Sequence, residues 1–487
     1  MAMNKNGRAQ APAAGRSPPG RKILNDTAHA AIDHGAGTPL PATPAEARHV
    51  ANIAAAAFPA WSVTSPSARR EILNRAADLM AFREEAFARI IAQETGGTRA
   101  WSDLNVKLGV ANLREAAALT TQIGGEVIPA DRPGSLAFAL RQPCGVVLSI
   151  APWNAPIVLA VRAIATPLCC GNTVVFKASE LCPLTHQMVV DTFAEAGLPA
   201  GVLGIVHNAE ENVQEIVEAL IAHPAVRRVN FTGSTRSGRV IAELCARYLK
   251  RSLLELGGKA PMIVLDDADL DEAVKAACYG AFFHQGQICM STERLIVHED
   301  VANAFVQKLR AAAECLTAGD PGRGDHKIGR MISPQAAARV KAMIDDAVVR
   351  GARIVAGGRL QGAYLDATVL DGVAPGMRIY YDETFGPVAS VIRFSDIDEA
   401  VSIANDTEYG LAAAIFGRDA MRALDVARRL ETGICHINAT TIHDEPQMPL
   451  GGMKSSGYGR FGGKAGIEEF TELRWITIQS GKLDYPI

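Results

Sequence analysis

Four short segments of this 487-residue chain place reactive or small residues where an apolar run stops. In Gln285-Gly286-Gln287-Ile288-Cys289-Met290-Ser291-Thr292 a cysteine follows a glycine-containing turn. A thiol is intrinsically the best neutral-pH nucleophile, and turn N–H groups can stabilise charge beside it. Structural burial is nevertheless the commoner fate of a cysteine, and on this segment alone it is the stronger reading. His284 would suit a Cys/His hydrolase, although closeness in sequence does not establish contact. In Leu254-Glu255-Leu256-Gly257-Gly258-Lys259 a carboxylate stands in apolar company, where desolvation would raise its pKa toward a general base's range. An ion pair with Lys259 would explain it equally well. Phe231-Thr232-Gly233-Ser234-Thr235-Arg236-Ser237-Gly238 offers glycines and hydroxyls where backbone N–H groups could reach a phosphate. It is GxxxxG, however, and no P-loop lysine follows. In Ala151-Pro152-Trp153-Asn154, Asn154 either presents a side-chain N–H or closes a turn.

The elements that must position these residues are legible as periodicity. From about residue 44 to 120 apolar residues recur at three- and four-residue spacing, which predicts helices, with Gly96-Gly97 ending one run. Between 145 and 255, GVVLSI, TVVFKAS, GVLGIVHN and VRRVNFTGS read as strands. Helical segments alternate with them: IVLAVRAIATPL, PLTHQMVVDTFAEAG, NVQEIVEALIAH and SGRVIAELCARYLK. That alternation predicts a doubly wound parallel sheet, whose ligands bind at the carboxyl ends of the strands. A second alternating region follows PMIVLDDADLDEAVKAACYGAFF, with a soft boundary near Gly257-Gly258 and no internal repeat.

Composition narrows the function. The length suggests two or three compact units, and 48% hydrophobic with 21% charged residues is ordinary for a globular protein. A net charge of −3 gives no reason to expect a nucleic-acid partner. The nine cysteines include no CxxC pair, so free thiols in a cytoplasmic, reducing setting are expected, with no metal site. The longest apolar stretch is broken by Pro152, Asn154, Pro156, Arg162 and Pro167, which favours a buried helix over a membrane span. Residues 1 to about 43 are basic and rich in Pro, Gly and Ala, which predicts a disordered tail more than a transit peptide.

Taken in order, PWN, the lysine-bearing strand end VVFKASE, the Gly233 turn, ELGGK and GQxC resemble the aldehyde dehydrogenase superfamily. So do Glu383-Thr384-Phe385-Gly386-Pro387 and Pro449-Leu450-Gly451-Gly452-Met453-Lys454, and the interval from Glu255 to Cys289. The resemblance runs from about residue 40 to the end. It implies an α/β aldehyde dehydrogenase fold after a disordered tail at 1–43. A Rossmann-like NAD-binding domain would span 44–123 and 144–256, an α/β catalytic domain 257–465, and a small β oligomerisation arm 124–143 and 466–487. The usual opening hairpin is reduced to Asp33-His34-Gly35-Ala36-Gly37.

What the resemblance implies for chemistry is specific. Cys289 would attack an aldehyde, Asn154 and the Cys289 N–H would form the oxyanion hole, and Glu255 would activate the water that releases a thioester. The presence of Glu255 argues against the CoA-acylating branch. Lys177 and Glu180 would meet the adenosine ribose, and Glu180 would repel a 2′-phosphate, so NAD is expected over NADP. Gly233 and Ser234 would meet the pyrophosphate, Glu383 the nicotinamide ribose and Phe385 its ring. Ile150, Pro152, Trp153, Gly238 and Leu256 would complete the cofactor's surroundings. The segments VRAIA, GQICMSTER, HDEPQMPLGG and RFGGKAGIEEFTELRWITIQ look most like dehydrogenases of aromatic aldehydes of the salicylaldehyde, vanillin or benzaldehyde type. Ala155, Arg162, Ile288, Met290 and Leu450 would line the substrate pocket, with few aromatics to stack on a ring. Arg162 would meet either a phenolic oxygen or a structural ion-pair partner. A semialdehyde or aliphatic substrate, or a cofactor-independent thiol esterase, are the alternatives. The expected partners are a small aldehyde and further copies of the chain, as homodimer or homotetramer, with no membrane.

Overall fold

In the computed structural model, which describes residues 39–320 and 326–487, four helices come first: Pro44–Ser62, Pro66–Phe82, Glu84–Thr95 and Arg99–Leu119. Thr43, Ser65 and Thr98 cap three of them, each hydroxyl accepting a first-turn N–H. Gly96, left-handed at φ 72°, stops the third helix. The reduced hairpin at Asp33–Gly37 and most of the expected tail lie outside the described residues. The tail's last residues correct that expectation. Ala42 is buried, its N–H donates to the His207 carbonyl, and its own carbonyl accepts from Asn212 Nδ2.

The alternating region forms a six-stranded sheet. Its order is Gly457–Tyr458, Arg251–Glu255, Val226–Thr232, Val146–Ile150, Thr173–Lys177, Leu203–Val206. All neighbours are parallel except the first pair. Val146–Ile150 and Thr173–Lys177 are buried at every position, as parallel strands covered on both faces must be. The chain winds one way from Val146–Ile150 and then returns to the other side with Val226–Thr232. The crevice between these two strands' carboxyl ends is therefore the topological switch point. The edge pair Gly457–Tyr458 comes from far outside the 44–256 range expected to supply this sheet.

A second, seven-stranded sheet has the order Arg353–Ala356, Thr368–Asp371, Val388–Phe394, Thr292–His298, Ala260–Val264, Ala412–Phe416, Ile434–Ile437. The chain leaves the first sheet at Glu255 and enters the second at Ala260, so the two glycines lie at the crossing. A third sheet of Gly125–Ile128, Ser135–Pro143 and Thr471–Gln479 is antiparallel throughout. The Pro156–Cys169 helix is buried along its whole length, which explains why its sequence is apolar apart from Arg162 and Thr166. Among the described residues no helix is long and apolar enough to cross a membrane, and all nine cysteines are free thiols.

Candidate active site

The switch point brings two of the four segments together. Ile150, buried, ends the central strand between Lys177 and Phe231. The following turn carries Pro152, Trp153 and Asn154 to the start of the buried helix. Asn154 Nδ2 donates to the Gln287 carbonyl at 2.9 Å. One amide hydrogen is thus committed to the cysteine loop, and the second remains to be directed elsewhere. The Asn154 carbonyl accepts from Trp101 Nε1 at 3.0 Å.

The cysteine loop is held in an unusual conformation. His284 and Gln285 have φ of 50° and 57°, and Gly286 follows at 66°. Left-handed backbone costs an L-residue about 1–2 kcal/mol, so the surroundings must impose it. Gln285 Nε2 donates to the carbonyls of Gly96 (3.3 Å) and Arg330 (2.8 Å), and Gln287 Oε1 accepts from Ile332 N–H (2.9 Å). A β-carbon on Gly286 would lie 2.2 Å from the Gly386 carbonyl oxygen, so only glycine lets the two loops touch. His284 stacks on Trp101 at 4.2 Å and is buried, and burial depresses its pKa to about 3. It is a packed neutral ring rather than the partner of Cys289, which removes the Cys/His hydrolase reading.

Cys289 Sγ instead lies 3.7 Å from Glu255 Oε1. Burial, then the Glu255 and Glu383 charges, raise the thiol's pKa well above the ordinary value, against a smaller opposing pull from Arg162. Burial also raises Glu255, with Arg162 pulling down and Asp444 pushing up. The alternative partner for Glu255 is overturned: Lys259 Nζ pairs with Glu293 (2.5 Å) and donates to Thr384 Oγ1 (2.9 Å). Glu293 also accepts from the N–H groups of Thr384 and Phe385. Lys259 thereby anchors the Glu383–Pro387 loop and leaves Glu255 alone. The glycines between them are required by approach. A β-carbon on Gly258 would stand 2.3 Å from the Cys289 carbonyl oxygen, and one on Gly257 2.8 Å from the Glu383 carboxylate. Arg162 resolves in favour of the ion pair. It hydrogen-bonds Asp444 Oδ2, and its other terminal nitrogen is 3.9 Å from Glu255 Oε2.

The remaining expected residues flank this centre. Lys177 Nζ, buried, lies 3.4 Å from Glu180 Oε2 at the next strand's end. Ser234 caps the Thr235–Arg247 helix, accepting from Ser237 N–H. Gly238 admits Leu256, whose side chain would stand 2.4 Å from an added β-carbon. Gly233 likewise gives way to the Phe231 ring, at 2.5 Å. Trp153 and Phe385 meet edge to face at 5.9 Å. Glu383 accepts from Gly258 N–H at 2.9 Å, and burial, then Glu293, push its pKa up to about 7. Ala155, Ile288 and Met290 pack with Trp101 and Leu159 in one apolar cluster that includes Cys289. Leu450 is buried and pairs its backbone with Phe461 of that cluster.

Sequence reasoning missed Trp101, Thr232, Glu293 and Asp444. Trp101 is an aromatic neighbour of the site, bonding the Asn154 carbonyl and stacking on His284 of the cysteine loop. Thr232 Oγ1 is 3.4 Å from Glu255 Oε2. Asp444 stands in HDEPQMPLGG, but nothing local marks it as the counter-ion of a residue 282 positions earlier.

A model of the aldehyde dehydrogenase family matches residues 29–476. The chain is 58% identical over 431 residues to vanillin dehydrogenase of Pseudomonas fluorescens, covering 88% of this chain and 89% of that protein. It is 40% identical over 437 residues to the NAD(+) benzaldehyde dehydrogenase of Pseudomonas putida, with 89% of each covered. The crystal structure of a salicylaldehyde dehydrogenase from Pseudomonas putida G7 complexed with salicylaldehyde superposes with a TM-score of 0.90. Identity to it is 50%, over 92% of this chain and 93% of that one.

Proposed function

The chain belongs to the aldehyde dehydrogenase family, and on that premise we propose that it oxidises aromatic aldehydes to carboxylates with NAD, through a thioester on Cys289. The observation that carries this reading is the 3.7 Å approach of Cys289 Sγ to Glu255 Oε1 beside Asn154. The names of the relatives (vanillin, salicylaldehyde and benzaldehyde dehydrogenases) support the aromatic substrate.

The Cys289 sulfur bonds to the aldehyde carbon, and its proton leaves, with Glu255 the nearest acceptor. The new oxyanion is held by the second amide hydrogen of Asn154 and by the Cys289 N–H. A bound nicotinamide supplies the hydride acceptor that makes this an oxidation. Once that first proton has passed to solvent, Glu255 takes a proton from water as the water oxygen bonds to the acyl carbon, and the Cys289 thiolate departs. The donors and acceptors at the strand ends fit a dinucleotide. Lys177 is a buried cation whose hydrogen bond to Glu180 leaves further N–H groups for a ribose, and Ser234 opens a 13-residue helix suited to a pyrophosphate. Glu383 suits the second ribose. Glu180 would face a 2′-phosphate with like charge, so kcat/KM should favour NAD over NADP. Faster use of NADP would mean that Lys177 outweighs Glu180.

The test is a panel of benzaldehyde, salicylaldehyde, vanillin, succinic semialdehyde, acetaldehyde and octanal, followed at 340 nm. The aromatic aldehydes should lead by about 10-fold or more in kcat/KM. A lead for succinic semialdehyde would sink the assignment. Arg162 speaks against that outcome, because Asp444 already matches the charge that would anchor a second carboxylate. The three-stranded sheet exposes Val127, Leu136, Leu140 and Ile478 on one face, which supports assembly with further copies of the chain.

A further inference from the structure

Glu255 is held loosely compared with Glu293, another buried carboxylate of the site. Glu293 receives Lys259 at 2.5 Å and backbone N–H groups at 2.8–3.0 Å. The contacts of Glu255 are longer: Thr232 Oγ1 at 3.4 Å, Cys289 Sγ at 3.7 Å and Arg162 Nη1 at 3.9 Å. The last distance is the unexpected one. A guanidinium can clamp a carboxylate with two parallel hydrogen bonds, and a buried arginine beside a buried glutamate has every electrostatic reason to do so. Here Arg162 turns its other terminal nitrogen to Asp444, on the segment after the Ile434–Ile437 strand. Arg162, Asp444 and Glu255 are all at least nine-tenths buried. The second oxygen of Asp444 is buried without a partner. A half-satisfied buried carboxylate is a poor device for stability alone.

We propose that Asp444 is a positioning residue that holds Arg162 back from Glu255, leaving the Glu255 carboxylate unclamped and able to serve both the thiol and the hydrolytic water. The inference rests on Glu255 being the base, as proposed above. The groups facing Glu255 are Arg162 from the buried helix, Asp444 from its loop, Cys289 from the nucleophile turn and the neutral Thr232 from the adjacent strand. The cation and the anion act on its proton affinity in opposite senses: Arg162 lowers it and Asp444 raises it. Arg162 itself stays charged: burial opposes this, but Asp444 and then Glu255 hold its pKa above the ordinary value.

The two partners therefore predict opposite pH responses. With Asp444→Asn, Arg162 should close on Glu255. The acid limb of the kcat–pH profile should move down by about one pH unit or more, while the plateau falls about 10-fold. A burst of NADH should precede the slow steady state, because deacylation is the step impaired. With Arg162→Met, Asp444 is left facing Glu255 and the limb should move up instead. The double variant should lose the burst and regain plateau rate relative to Asp444→Asn. Shifts in the same direction, or none, with rate losses that track melting temperature, would overturn the proposal and leave a pair that serves folding only. If Asp444→Asn fails to fold, Asp444→Ser, which also removes the anion, should give the same downward shift and the same burst, and an unmoved limb in it overturns the proposal. Glu255→Gln separates the two levels. An acid limb that survives in that variant does not belong to Glu255, and the base assignment falls together with this inference.

Discussion

Cys289 and Glu255 each carry a proton more tightly than the free side chains would, and for the same reason, burial. Burial thus favours the thiol over the thiolate at Cys289 and makes Glu255 a weaker acid than a free glutamate. Cys289→Ala should abolish NADH formation in single-turnover mixing while NAD binding, read by quenching of tryptophan fluorescence, stays nearly intact. Retained turnover would require another of the cysteines or a direct hydride route. Glu255→Gln should give one burst of NADH and then near silence, with acylated protein visible by mass spectrometry. That burst should be slowed, because the Cys289 thiol has lost its nearest proton acceptor, and an unslowed burst would leave Glu255 only the task of activating water. The direction of the Glu255 shift sets the pH response of the unaltered enzyme. The group can take a proton from water only when ionised, so steady-state turnover should fall as pH drops through its raised pKa.

Among the elements, the crossing from Arg251–Glu255 to Ala260–Val264 does most to assemble the site. Gly257 and Gly258 let the chain pass between the Glu383 carboxylate and the Cys289 carbonyl. A β-carbon at Gly258 meets backbone, which cannot swing aside as a side chain could. Gly258→Ala should therefore displace the cysteine turn, costing about 1–3 kcal/mol in stability and more than 10-fold in kcat. Gly351→Ala is the matching control. Its φ of 108° is unfavourable for alanine, yet nothing lies within 4 Å, so stability should drop without a change in kcat. Equal kcat losses in the two variants would show that general destabilisation, and not loop displacement, governs the rate.

For the molecule as a whole, the antiparallel three-stranded sheet is the part least able to stand alone. Leu136 and Ile478 are cross-strand partners and each is about half exposed, at 49% and 54%. Val127, at 76%, lies on the same face through its pairing with Phe138. Three strands are about the fewest that stand in water with an apolar face, and exposed apolar faces of this kind mark interfaces. Converting both Leu136 and Ile478 to Asp should lower the mass measured by light scattering to that of a single chain or a smaller assembly. An unchanged mass would place any interface elsewhere.

The sequence by itself determined the alternation of strand and helix, the strand ends on which the reactive residues sit, and the family. These are matters of local periodicity and of motifs read within a few residues. It also brought forward Arg162, because a lone charge in an apolar helix must find a partner. Which partner it finds was decided only by tertiary structure. Asp444 lies 282 positions away, and no spacing rule chooses between it and a substrate oxygen. The same holds for Lys259, which stands next to the Glu255 motif yet pairs with Glu293 from the following sheet. It holds again for Trp101, a helix residue whose ring joins Asn154 to the cysteine loop. The edge strand Gly457–Tyr458 was not legible either, because two residues carry no periodicity and owe their conformation to the antiparallel partner at Leu254 and Glu255. Local chemistry specifies what each residue can do, but charge pairing in a buried centre depends on distances that exist only once the sheets have packed.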